Sequence, residues 1–228
     1  MFNLIVKDLE KAGNKEKAII LSRFFKTGKG QYGEGDIFLG IVVPKQREIA
    51  NKYSTLSLQD VQRLLSSKIH EHRLTALLVL VLQYQNSNDK KIIDFYLKNT
   101  KYINNWDLVD LSADKILGNY LIDKDKSILY KLAKSNNLWK RRISIISTFA
   151  FIKKNKFEDT LKISEILLND KHDLIQKAVG WMLRELGKRN QEIEEKFLKK
   201  HYKKMPRTML RYAIERFTEE KRKFYIQK

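Results

Sequence analysis

Cysteine is missing altogether from the 228 residues. Its absence excludes disulfides, thiolate metal sites, zinc ribbons and a cysteine nucleophile. No apolar run approaches the ~20 residues needed to cross a bilayer. The N-terminal stretch MFNLIVKDLEKAG lacks a signal-peptide core and a small-residue cleavage site. A cytoplasmic, nucleoid-associated protein with no membrane partner is expected. Histidine occurs four times, and His70 and His72, which flank Glu71, point apart on a helix. Neither a metal site nor a Ser–His–Asp arrangement can be assembled from this set, and no cofactor is expected. Strict alternation over a strand-length window is also missing, so a sheet has nothing to be built from.

Glycine is scarce, with nine residues, yet three of them fall in TGKGQYGEGD, where Gly28, Gly30 and Gly33 show G-x-G-x-x-G spacing. Dinucleotide binding would need a strand before the motif and a helix opening inside it. Here a helical pattern precedes the glycines. A P-loop would need Gly-Lys followed by Ser or Thr, which is not present. The segment reads as a flexible connector whose glycines permit positive φ, with Lys29, Gln31 and Tyr32 placed to touch a partner.

What the chain has in excess is positive charge: 46 Lys+Arg against 27 Asp+Glu, a net +19. The excess is uneven. Residues 1–114 hold 17 basic and 13 acidic side chains (+4), and residues 115–228 hold 29 and 14 (+15). Two readings fit: a Lys-rich set of solvated helix faces, or a polyanionic partner whose counterions are released on binding. With 43% hydrophobic residues the chain can still build a core.

Apolar residues recur at helical spacing in 3–12, 16–26, 44–53, 70–85, 89–98, 105–118, 126–134, 138–154, 157–168, 172–189 and 191–203, and a short helix pair follows Pro206. Longer helices open at His70, Asn104, Asn137, His172 and Pro206, at intervals of 34, 33, 35 and 34 residues. A fixed period with two helices per unit marks a helical solenoid. The expected fold is all-α, a right-handed solenoid of antiparallel helix pairs of HEAT-like or ARM-like type with a concave basic groove. One domain is expected over 1–228. Helices in 1–55 form a cap and first repeat, and repeats of about 34 residues run from 70 to 228.

Three helices carry residues that break their own amphipathic pattern. In 172–189 the stripe is Ile175, Ala178, Val179, Met182, Leu183 and Leu186. Trp181 lies off it, beside Lys177, Arg184 and Lys188. That indole either packs on the next repeat or meets nucleic acid. In 138–154 Arg142 points into the apolar stripe and Arg141 away from it. A guanidinium there needs an anion, whether its role is structural or functional. In 105–118 Trp106 and Asp110 share a face at i and i+4. Asp110 serves the helix dipole, or it is the carboxylate of a site. A carboxylate between indole faces suits stabilisation of a cation. Cleavage of an N-glycosidic bond passes through an oxocarbenium-like sugar. A cationic alkylated purine departs without a general acid, so one carboxylate suffices.

The stretches FLGIVVPKQR (38–47), NNWDLVD (104–110), LWKRR (138–142) and IQKAVGWMLRELGK (175–188) resemble the AlkD-like alkylpurine DNA glycosylases, built from HEAT-like repeats. The resemblance implies that Asp110 is the catalytic carboxylate, Arg142 the essential arginine, and Trp106 and Trp181 the sugar-contacting indoles. It implies excision of N3- and N7-alkylated purines from double-stranded DNA, without flipping the base into a pocket. Asp110 would stabilise the oxocarbenium ion and position water. Arg142 would hold Asp110 and a lesion-flanking phosphate. Lys29, Tyr32, Arg141, Lys177, Arg184 and Lys188 are candidate DNA contacts, and a monomer is expected. The alternatives are a non-catalytic repeat protein binding distorted or branched DNA, and a protein–protein scaffold.

Overall fold

The computed structural model describes residues 1–227, and it is built from helices. Two compact units divide the chain, Met1–Ile116 and Leu117–Lys228. The first holds α1 (Phe2–Ala12), α2 (Lys15–Phe24), α3 (Val43–Lys52), α4 (Leu58–Leu65), α5 (His70–Ser87), α6 (Lys90–Lys98), a 3-10 turn (Thr100–Tyr102) and α7 (Trp106–Asp110). A π-helical segment, Asp114–Gly118, follows. The second unit continues with α8 (Asn119–Leu121), α9 (Ser127–Ala133), α10 (Leu138–Ser147), α11 (Phe149–Ile152), α12 (Glu158–Ile166), α13 (Asp173–Gly187), α14 (Gln191–His201), α15 (Arg207–Ala213) and α16 (Glu219–Ile226). No strand forms among the described residues, and one isolated bridge joins Ile37 to Ile69.

The helix starts follow from local chemistry. Side chains of Asn105, Asn137 and His172 accept backbone N–H groups at the openings of α7, α10 and α13, and Pro206 precedes α15. These groups would otherwise be orphaned at a helix N-terminus. The five long-period openings therefore fall where the spacing placed them, and a second helix follows each.

In the first unit α5 is the centre. It packs against α3 and α4, and every residue from His70 to Val81 is buried. A helix that is apolar nearly all round must be covered all round. The first turns of α5 also bury the polar His70, Glu71, His72, Arg73 and Thr75, and the Glu71 carboxylate accepts the N–H groups of Leu39, Gly40 and Ile41 at 2.9, 2.8 and 3.2 Å. Those bonds hold the FLGI segment across α5. In the second unit α13 packs on α10, α14 and α15, and its stripe of Ile175, Ala178, Val179, Met182, Leu183 and Leu186 is fully buried.

Three elements differ from the sequence expectation. Helix α4 is additional; its Val61, Leu64 and Leu65 are buried and Ser57 caps it, a pattern short enough to escape a search for long periodic runs. The expected helix 105–118 breaks after Asp110. There Ser112 Oγ donates to the Leu108 carbonyl at 2.6 Å and meets the Tyr96 hydroxyl at 3.0 Å, and the π-helical segment begins two residues on. Such side-chain bonding competes with the helical ladder. The expected 138–154 helix is divided at Thr148, where Ser147 and Thr148 hydroxyls bond back to Ile143 and Ile145 carbonyls.

Candidate active site

Trp106 and Asp110 open and close the one short helix α7, both half-buried. The Trp106 indole is held by its neighbours. Phe25 stacks on it at 5.1 Å and 18°, and the exposed Phe24 meets it edge-on at 5.9 Å. Behind Phe25 the stack continues through Phe38 to the ring of His70. Such aromatic pairs contribute about 0.5–1.5 kcal/mol each beyond area burial, so the half-buried indole is held in orientation by Phe24 and Phe25. Asp110 ends the helix at the step into the π-helical segment, a distortion that often accompanies functional sites.

The glycine-rich segment is folded back on itself. Gly30 and Gly35 adopt φ of +75° and +84°, as expected of a turn-rich connector. Lys29 is exposed, Tyr32 is half-buried, and Lys26 Nζ lies 6.0 Å from the Tyr32 ring. At Gly33 a Cβ would collide with the Phe25 carbonyl, so this glycine is required by close packing.

In the second unit Arg142 is buried, at 5% exposure, with Nη1 donating to the Leu174 carbonyl at 2.5 Å. Arg141 donates Nε to Asp170 at 2.6 Å and Nη1 to the carbonyls of Ser135 and Asn136. Trp181 is half-buried beside Phe149, with ring centroids 5.9 Å apart, and its Nε1–H donates to Glu185 at 3.2 Å. Glu185 also receives Lys188 at 2.7 Å and lies 3.4 Å from Arg184, which pairs with Glu215 as well. Burial opposes ionisation of Glu185, but Lys188 and Arg184 hold its pKa below the usual value. Lys177 pairs with Asp173 at 2.7 Å.

Glu185 is therefore the residue that gathers Trp181, Arg184 and Lys188, and it is not among the site residues expected from the sequence. Its spacing four after Trp181 and three before Lys188 was the available signal. The caps reveal a second regularity. Five residues after Asn105, Asn137, His172 and Pro206 stand Asp110, Arg142, Lys177 and Arg211. One acid and three cations thus occupy the same position of successive repeats.

No curated protein matches the chain. A solved structure described as a predicted DNA alkylation repair enzyme from Enterococcus faecalis is similar to it, with a TM-score of 0.74 at 19% identity, over 91% of this chain and 97% of that one. At that identity the likeness speaks for the fold. Residues 5–217 match the family model described as DNA alkylation repair enzyme. The half-open Trp106–Asp110 helix and the cationic repeat positions accordingly stand in a member of the DNA alkylation repair enzyme family, the AlkD-like group.

Proposed function

We propose that the protein is a DNA glycosylase that hydrolyses the N-glycosidic bond of cationic N3- and N7-alkylated purines in double-stranded DNA. The observation that carries this reading is α7, which offers an indole face and a carboxylate one helical turn apart, both reachable from solvent. An anion fixed in place stabilises the oxocarbenium-like sugar without reorganising at the moment of reaction. Asp110 takes that role and orients the attacking water. The indole of Trp106 contacts the lesion's sugar and attracts the developing cation by about 0.5–2 kcal/mol. For the second unit, considered by itself, the same reading makes the half-buried Trp181 an aromatic contact to the DNA and the buried Arg142 a guanidinium for a backbone phosphate. The alkylated base leaves as a neutral purine, so the lack of a second acid is no obstacle.

Single-turnover release of 7-methylguanine from duplex DNA tests this. Asp110→Asn should slow release by about 10²–10³-fold while leaving duplex affinity nearly unchanged. Equal rates for the two proteins would remove the mechanism. No release by the wild type, with preferential binding of branched DNA, would favour a non-catalytic DNA-binding role instead.

A further inference from the structure

The glycine-rich segment and His70 have no part in the chemistry above, yet they meet directly behind it. His70 is 1% exposed, with its ring against Phe38 and Phe25. Its Nδ1 stands 3.1 Å from Asp36 Oδ2, and its Nε2 stands 2.8 Å from Asp107 Oδ2. A neutral imidazole carries a single N–H. One of the two contacts would then oppose lone pair to lone pair, so the geometry calls for the imidazolium. Arg73, on the next turn of α5, pairs with Asp36 at 2.6 Å. Two acids and two cations neutralise one another in buried surroundings, where removal of one partner typically costs several kcal/mol.

The charged groups facing the ring come from three elements: Asp36 from the glycine-rich segment, Asp107 from α7 and Arg73 from α5 itself. Burial pushes the imidazolium pKa down. The charge and hydrogen bond of Asp107 and the hydrogen bond of Asp36 outweigh it and lift the value to about 9. Burial would raise the Asp36 carboxyl, and His70 and Arg73 hold it below its ordinary range.

Position gives this cluster its meaning. Asp107 directly follows Trp106, and its other oxygen accepts the Leu108 N–H at 2.8 Å within the first turn of α7. Asn104, just ahead of that turn, lies 3.4 Å from Asp36 Oδ1. Phe25 and Phe38, which flank the His70 ring, continue the stack to Trp106. We propose that protonated His70 is a positioning residue: by bridging Asp36 and Asp107 it locks the first turn of α7 to the glycine-rich segment, and so sets how Trp106 and Asp110 meet the substrate. The kinetic part of this inference rests on the glycosylase reading; the spectroscopic part does not.

The spectroscopic experiment uses the full chain with Trp139→Phe and Trp181→Phe, leaving Trp106 as the one indole, excited at wavelengths beyond the absorption of neutral tyrosine. Its emission should change as pH rises through about 9, and His70→Gln should abolish that transition with an unchanged far-UV circular dichroism spectrum. A flat response in the parent, or the same transition in the His70 variant, overturns the proposal. In the chain with all three tryptophans, His70→Gln and Asp107→Asn should each lower the single-turnover rate at saturating protein by about 10-fold or more, with duplex Kd kept within about twofold. An unchanged rate alongside a weakened Kd would also overturn it. Should His70→Gln fail to fold, Asp107→Asn and the pH titration of the parent decide the question without altering His70. If the unmutated protein releases no base, the glycosylase reading falls and the emission titration still judges the brace.

Discussion

Arg141 and Arg142 are consecutive on α10, and a rotation of about 100° per residue sends them to different tasks. Arg141 closes on Asp170 and two carbonyls near the start of its own repeat, and Arg142 reaches under the first turn of α13. Glu194 is an acid of the opposite kind. It is 2% exposed, lies over Gly187, and leaves Oε1 without a hydrogen-bond partner. Burial, reinforced by the charge of Glu195, raises its pKa to about 9. The unfolded chain ionises this carboxyl near its ordinary value of 4.5. Its contribution is therefore intact below that pH and is lost as pH rises toward 9, because only the unfolded state gives up the proton freely. Glu194→Gln keeps the shape without the titration. It should raise the melting temperature at neutral pH by about 2–6 °C, corresponding to roughly 1–2 kcal/mol, and flatten its decline between those pH values. A variant no more stable than its parent at pH 7 would show that Glu194 is better accommodated than its surroundings indicate.

Elements in the second unit approach closely through glycine. At Gly180, immediately before Trp181, a Cβ would run into the Met209 carbonyl, the Tyr212 side chain and the Ala213 backbone of α15. Gly180 is what lets α13 and α15 pack backbone to side chain, and that contact places Trp181 at the edge of the pair. Gly180→Ala should destabilise by about 1–3 kcal/mol, since overpacking forces backbone shifts. Thermal unfolding would detect this, and an unchanged melting temperature would mean that α15 slides away at little cost. At α7 the same logic runs through polar groups: Ser112 Oγ takes the Leu108 carbonyl that the next turn of helix would have used, and the Tyr96 hydroxyl meets that Oγ.

Charge acts on the scale of the whole molecule. Of the +19 total, +15 lies in residues 115–228, even after local pairs such as Lys177–Asp173, Lys188–Glu185 and Lys200–Glu165. Arg142, Lys177 and Arg211 share a repeat position on α10, α13 and α15, and α13 packs against both of the others. Arg211 is the exposed one of the three. If this row follows a phosphate strand, Arg211→Gln should weaken binding of undamaged duplex equally for all sequences. It should also reduce the slope of log Kd against log salt by about 0.9. An unaltered slope would take Arg211 out of the interface.

The helical class, the period near 34 residues and the five helix openings were legible because capping and 3.6-residue spacing are local properties. Trp181 off its stripe and Arg142 inside its own were legible for the same reason, and both lie where the helix wheel put them. Even α4 and Glu185 were written in the chain, in patterns too short or too ordinary to stand out. The break after Asp110 was not, since it depends on the Tyr96 hydroxyl reaching Ser112. Nor was the brace on α7. His70 meets partners 34 and 37 positions away in the chain, and a histidine standing next to Glu71 carries no local sign that its acids come from elsewhere. Short-range order needs only neighbours; a buried charge cluster exists only after packing has brought distant groups together and excluded water from around them.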